Sequence, residues 1–398
     1  MKKIICIVSA VILLSALILC FVSCGKDEKL PADLEIADVR EASLLKDDIA
    51  LLQDVFEKET AYLASLQLEN GAIPMTYSAN GTLTMNPYFA DFAALALLDK
   101  PEEYADEVKA YMDWHFAHLN DKNDDYNGVD GTIYDYKITV KDGKVTEETV
   151  TETDGVKHYD STDSYAATFL MVLKKYYKNT GDKEYIISHG KDIERIANAM
   201  LSTMHKGLTF AKPDYEVKYL MDNSEVYEGL QCATEFFELL VTENKSPYET
   251  VLKRCKNASE KLTDAFEVKL WDADANNYKS GIFRNGKAIS EFSWDEYYPC
   301  ATSQLFPIIH GVIKPDTLRA NQLYDKFCES YDWHKIDIPS EFCWGSNVLA
   351  AAMINDAERV VSYMTAFSEK YQSHEYPLYN ADSARVSMAA YILLEGNN

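Results

Sequence analysis

The sequence predicts an all-α protein, an (α/α)6 toroid of six helical hairpins with small β-hairpin insertions. Three observations carry this expectation. From Leu30 onward, apolar residues recur at i, i+3, i+4 and i+7, the period of an amphipathic helix. Gly (16) and Pro (11) are sparse for 398 residues, which disfavours a sandwich or barrel built on tight turns. The helical segments come to twelve and alternate between charged and apolar members, as outer and inner helices of a closed ring do.

In chain order, helices are expected over residues 36–68, bent near Ser43, and 88–98, stopped by Asp99-Lys100-Pro101. The third, 101–119, has Pro101 in its first turn, where a missing N–H costs nothing. The fourth, 162–180, is capped by Gly181. The remainder are 183–204, 224–241, 247–266, 298–312, 315–331, 344–354, 356–371 and 381–394. Stretches such as Phe92-Ala93-Ala94-Leu95-Ala96 and Leu349-Ala350-Ala351-Ala352-Met353 are small and apolar on most sides, as buried inner helices are. Alternation over 132–151 around Lys141-Asp142-Gly143-Lys144, and over 279–289 around Asn285-Gly286, predicts two hairpins at the rim of a cleft. A tetratricopeptide-like solenoid is the competing architecture, weakened by irregular repeat length.

Composition narrows the function. Hydrophobic residues make up 47% and charged residues 26%, ordinary for a globular chain. With 39 Lys and Arg against 64 Asp and Glu, the net charge of −25 argues against nucleic acid as a partner. Walker A, GxGxxG and GxSxG motifs are missing, so nucleotide and hydrolase-elbow chemistry lack support, and no cofactor is expected. His115 and His118 are the one close His pair; without HExxH they read as surface or groove residues, and no metal site is expected. The acidic runs 121–128 and 272–277 fail the EF-hand spacing and read as solvated turns. The body holds Cys232, Cys255, Cys300, Cys328 and Cys343, an odd set without CxxC, so no disulfide framework follows.

The N-terminus reads as an export signal. Lys2 and Lys3 precede an uncharged run over 4–22. Phe21-Val22-Ser23-Cys24-Gly25 then resembles the lipobox of bacterial lipoproteins, with Phe21 at the usual Leu position. The resemblance implies a signal over 1–23, lipid on Cys24, a linker over 24–35 and one globular domain over 36–398. The chain would be a monomer held to the outer face of the cytoplasmic membrane. An uncleaved anchor helix is the plainer alternative and gives the same location.

The starts of the inner helices repeat one chemistry. They read Asn86-Pro87-Tyr88, Tyr159-Asp160-Ser161-Thr162-Asp163-Ser164-Tyr165, Asp222-Asn223-Ser224-Glu225-Val226-Tyr227, Trp294-Asp295-Glu296-Tyr297-Tyr298, Glu341-Phe342-Cys343-Trp344 and Tyr379-Asn380-Ala381-Asp382. N-capping accounts for Asp, Ser and Asn at any one start. It accounts less well for carboxylate beside Tyr or Trp at the same end of hairpin after hairpin. Flat aromatic faces and carboxylates together suit sugars, and two carboxyls suffice for glycoside hydrolysis.

Twelve helices with acidic-aromatic inner starts resemble the six-hairpin glycosidase superfamily over roughly residues 36–394. The segment Asp160-Ser161-Thr162-Asp163-Ser164-Tyr165-Ala166-Ala167-Thr168 is similar to the Asp-bearing inner-helix start of family-8 glycoside hydrolases. Asp163 takes the position whose Asp holds the sugar there. Tyr165 stands where that family has a second acid, and Asn86-Pro87-Tyr88 where it has a Glu, so the resemblance extends to the superfamily and not to that family. The chain also resembles Firmicutes-type lipoproteins of this superfamily.

The resemblance implies a carbohydrate substrate and inverting hydrolysis, with Asp163 holding the sugar or orienting the water. Glu225, or Asp222 one turn earlier, is the candidate acid, because a carboxyl packed among apolar groups retains its proton. Asp295 or Glu296 is the candidate base. Tyr165, Tyr227, Trp294, Tyr297 and Trp344 are candidate stacking surfaces, with Asn380 and Asp382 as further substrate contacts. A non-catalytic saccharide-binding lipoprotein is the alternative. A polysaccharide lyase is weaker, since Arg is scarce at these starts.

Overall fold

The computed structural model describes residues 36–396 other than 38–39, 41–42, 77–81, 152–154, 158 and 244. The expected signal segment, Cys24 and the linker lie outside the described residues. Thirteen α-helices are described: α1 (Lys46–Ser65), α2 (Pro87–Leu97), α3 (Pro101–Ala117), α4 (Asp163–Thr180), α5 (Lys183–Ser188), α6 (Gly190–Ser202), α7 (Leu220–Glu243), α8 (Lys245–Ala265), α9 (Phe306–Ile309), α10 (Leu318–Ser330), α11 (Gly345–Met353), α12 (Ala357–Lys370) and α13 (Asn380–Gly396). Among the described residues no helix is long and apolar enough to cross a membrane.

Six of these make the inner wall. Each packs on the next in the order α2, α4, α7, α9, α11, α13, and α13 packs back on α2. The ring is thereby closed, with α1, α3, α5–α6, α8, α10 and α12 outside it, giving the (α/α)6 toroid. Composition explains which helices go inside. Phe92 to Leu97 of α2 and Gly345 to Ala352 of α11 are buried without interruption, whereas α3 and α10 bury one stripe. Local signals fix several ends. Asn86 Oδ1 accepts from the Phe89 amide at the start of α2, and Gly181 ends α4 in the left-handed region at φ 70°.

Three expected helices take a different form. The segment 36–68 becomes helical only from Lys46; before it, Ile36 bridges Thr317 and Arg40 hydrogen-bonds Asn321 and Asp325 of α10. The segment 183–204 divides at His189, and a Cβ on Gly190 would stand 2.7 Å from the Tyr248 hydroxyl of α8. The segment 298–312 is the most altered. A π turn over Tyr297–Ala301 contains extended Tyr298 (φ −123°, ψ 131°), and only α9 follows. Pro299 and Pro307 each remove an amide donor and crowd the residue before them, which breaks the helix that apolar periodicity alone would allow.

The first expected hairpin forms as β2 (Tyr136–Lys141) and β3 (Lys144–Thr149), joined on the far side of β2 by β1 (Thr82–Met85). Glu147 of β3 fastens it to the ring: its carboxylate accepts from Trp114 Nε1 at 2.8 Å and meets His118 Nε2 at 2.8 Å. His115 and His118 are thus packing residues, His115 buried flat against Phe169. Two short ribbons follow, β4 (Met204–His205) with β5 (Leu208–Thr209) and, after β6 (Val217–Tyr219), β7 (Trp271–Asp272) with β8 (Asn277–Tyr278). The second expected hairpin differs from its sequence pattern: β9 (Gly281–Phe283) pairs with distant β6, leaving one bridge, Ile282 to Ala288, across the Asn285-Gly286 turn. The acidic runs act as turns, Asp121 accepting from the amides of Asn123 and Asp124, and Asp125 from those of Asn127 and Val129.

Close helix approach makes one position decisive. A Cβ on Gly229 of α7 would lie 2.7 Å from both Cα and Cβ of Ala167 on α4. Gly229→Ala gains about 1 kcal/mol of helix propensity but forces two inner helices apart, an overpacking cost of about 1–3 kcal/mol. Denaturant unfolding is expected to show net destabilisation.

Candidate active site

The polar starts of the inner helices converge on one end of the ring and enclose a cavity of about 340 Å³. Its wall includes Tyr88 and Phe89 of α2, Asp160, Ser161, Ser164 and Tyr165 around the start of α4, and Asp222 and Glu225 of α7. Tyr298, Phe306, Trp344 and Tyr379 follow, with Asp382 and Arg385 of α13. In a ring of six, α7 and α13 stand three places apart in either direction, so the cavity takes carboxyls from opposite inner helices.

Glu225 is buried and Asp222 is partly open to the cavity one turn before it. A helix start favours a carboxylate by only about 0.3–1 kcal/mol, up to about 2, while removing a charge from water costs several kcal/mol. Burial wins. It raises the carboxyl of Asp222 well above the usual range, and Asp163, Glu225 and Asp160 add their repulsion. Burial also raises Glu225, opposed by His310, by hydrogen bonds from Tyr88 and Ser164, and by Arg385. Burial therefore favours the protonated form of both carboxyls.

A relay crosses the ring. Arg385 Nη2 donates to Tyr88 Oη at 3.1 Å, and Tyr88 Oη donates to Glu225 Oε1 at 2.6 Å. The guanidinium lies 3.8 Å over the Phe92 ring. Three residues before it, Asp382 Oδ1 accepts from the Gly345 amide at 2.9 Å. Burial raises the Asp382 carboxyl and Arg385 opposes that. Aromatic faces surround these groups: Tyr88 stacks on Tyr165 at 6.1 Å, and Tyr298 leans on Trp344 at 5.2 Å. Tyr165 is held rigidly, donating to Asp135 at 2.9 Å and accepting from Asn86 at 2.6 Å. Burial pushes Asp135 up to about 7.

Of the residues singled out in the sequence, Asp222, Glu225, Tyr165, Trp344 and Asp382 line this cavity. Asp163 is adjacent but turned inward, fully buried, accepting from the Ser161 hydroxyl at 2.6 Å and the Ser164 amide at 2.9 Å. The rest are not among its lining residues. Asp295 and Glu296 are exposed on the loop before the π turn, and Glu296 accepts from the Cys300 thiol at 2.9 Å. The proline-broken helix carries them outward and brings Tyr298 and Phe306 to the wall instead. Tyr227, two residues beyond Glu225 and so on another face of α7, packs on Phe266. Trp294 packs on Phe292, and its carbonyl accepts from Tyr331. Tyr297 accepts from Asn347 inside the core, and Asn380 donates to the Pro74 carbonyl.

Tyr88, Phe89, Tyr298, Phe306, Tyr379 and Arg385 are wall residues that were not singled out. Arg385 had a signal, being the one cation of its inner helix, α13. The others had none beyond their place near a helix start.

Asp163 generates a pH prediction. Burial raises it from 3.8 to about 6. Across that window the folded protein keeps a proton that the unfolded chain has released, so stability falls as pH rises. Chemical denaturation at about pH 4 and about pH 6 is expected to show a smaller difference between the two conditions in Asp163→Asn than in the wild type.

No protein-family model matches the chain, and no curated protein matches it in sequence. The fold has solved counterparts. A glycosidase in complex with glucose superposes with a TM-score of 0.59 at 11% identity, over 89% of this chain and 98% of that one. The rhamnosidase from Klebsiella oxytoca with rhamnose bound gives 0.56 at 11% identity, over 92% of this chain and 67% of that one. A conserved protein from Thermus thermophilus gives 0.57 at 11% identity, over 85% and 99%. The chain shares the fold of these solved structures.

Proposed function

We propose that the protein is a glycoside hydrolase acting on an oligosaccharide or polysaccharide at this cavity. The observation that carries the proposal is the placing of Asp222 and Glu225 opposite Asp382 in a ring lined by flat aromatic faces. Asp222, its carboxyl raised by burial and by three other carboxyls, is the general acid that gives its proton to the leaving oxygen. Glu225, held by Tyr88, fixes the charge behind it. Asp382, oriented by the Gly345 amide, is the base that takes a proton from water. Positions on opposite inner helices favour inversion, in which acid and base stand about 6.5–9.5 Å apart with the water between them. The stacked faces of Tyr88, Tyr165, Tyr298 and Trp344 offer apolar surfaces to the C–H faces of sugar rings. The lipobox-like segment supports anchoring through lipid on Cys24 at the outer face of the membrane.

Asp222→Asn and Asp382→Asn are each expected to lower hydrolysis by about 10²–10⁴-fold while leaving saccharide affinity in place, read by turnover and calorimetry on a polysaccharide panel. Asp295→Asn is expected to leave turnover unchanged. If wild-type protein binds saccharide but turns over none of the panel, the protein is a saccharide binder and the hydrolase proposal fails. Incorporation of labelled fatty acid in a bacterial host, lost in Cys24→Ser, checks the anchor.

A further inference from the structure

Outside the cavity the charge reverses. His205, Lys206 and Arg284 line an open groove of about 840 Å³ together with Tyr215 and Phe283. Lys218 and Lys269 stand behind it, each donating to a carbonyl of the β4–β5 turn, those of His205 and Lys206. Lys218 is 2% exposed, and its ammonium meets that carbonyl and the Phe210 ring, 5.0 Å away. Arg284 approaches the same ring at 6.0 Å. Two carboxylates are present: Glu216 pairs with Arg284, and Asp214 accepts from Tyr126 and Asn127. Lys206 and Arg284 of the lining meet Asp214 and Glu216, Lys218 and Lys269 add two cations behind it, and Lys261 and Asp264 stand beside Lys206 and Lys269, in a chain whose acids outnumber its bases 64 to 39. Burial and the neighbouring cations Lys269, Lys206 and Arg284 lower the Lys218 amine to about 8, opposed by Glu216.

The groove adjoins the cavity. Val217 lines the groove, and Met221 and Asp222 line the cavity. Strand β6 joins them over about 10 Å, at about 3.3 Å per residue. Tyr215 and Tyr219 bridge the interval with their hydroxyls 3.0 Å apart.

We propose that this groove binds an anionic substituent — carboxylate, sulfate or phosphate — on the same saccharide chain whose reacting unit occupies the cavity. The proposal rests on the saccharide-hydrolase reading and narrows it: the substrate is an anionic glycan laid across Tyr215 and Tyr219. Acidic walls at the reacting centre repel the substituent, and the groove collects it one or a few sugar units away.

The test is binding of the full chain, in detergent, to polygalacturonate, chondroitin sulfate and poly(glycerol phosphate), with dextran and xylan as neutral controls. At least one anionic polymer is expected to bind tighter than both neutral ones, with affinity falling as salt rises. Lys206→Glu combined with Arg284→Glu is expected to lower that affinity at least tenfold. Both residues are exposed, and circular dichroism with dextran binding checks that the fold and cavity persist. Equal affinity for anionic and neutral polymers, no change in the double variant, or capture of anionic lipid vesicles without any anionic polymer would overturn the proposal. The double variant leaves the cavity residues intact, so hydrolysis of a neutral glycan with no groove effect would sink this proposal alone. Anion binding at the groove with no hydrolysis of any glycan would sink the hydrolase reading instead, and with it the assignment of this groove to a substrate.

Discussion

Arg385 on the last helix lies over Phe92 of the second and donates to Tyr88, which donates to Glu225 of α7. These contacts lie where the last helix meets the first hairpin, and they link ring closure to the polar centre. The packing of α13 on α2 joins the two ends of a sequence that otherwise only adds hairpin to hairpin. The packing of α13 and α12 on α1 joins the same two ends, so α7 and α13 share one common space. With it, every inner helix presents its N-terminal end to the same enclosed volume.

Enclosure sets the electrostatics. Four carboxyls, Asp160, Asp222, Glu225 and Asp382, share a small cavity with one guanidinium, and Asp163 sits behind its wall. Helix dipoles favour their ionised forms, but only weakly. Burial and mutual repulsion act the other way and dominate at Asp222. A ring of acidic helix starts thus raises the proton affinity of the carboxyls it encloses. The aromatic residues contribute to the same end by excluding water while leaving flat surfaces for a ligand.

The acidity of the chain is also not uniform. Lys206, Lys218, Lys269 and Arg284 come from four separate stretches and meet beside β6. Lys218 and Lys269 bind the β4–β5 turn through its carbonyls. Neutral acceptors secure these two side chains without cancelling their charge.

Periodicity and composition were enough to determine the architecture. The small apolar inner members, the Gly181 cap and the Asp142-Gly143 turn are local properties, written within a few turns of chain. The chemistry at the inner starts was legible for the same reason, and Asp222, Glu225, Tyr165, Trp344 and Asp382 reach the cavity from positions the sequence marks. What tertiary structure alone decided is which of several similar carboxylates face inward. Asp295 and Glu296 have the same sequence character as Asp222 and Glu225, but Pro299 and Pro307 break their helix and turn them to solvent. Tyr227 lies two residues from Glu225, and helical rotation sends it to Phe266. Arg385 meets Tyr88 across 297 residues, and the four cations meet across strands paired at long range. Such contacts depend on ring closure and on where each helix is broken, and no local pattern of residues carries that information.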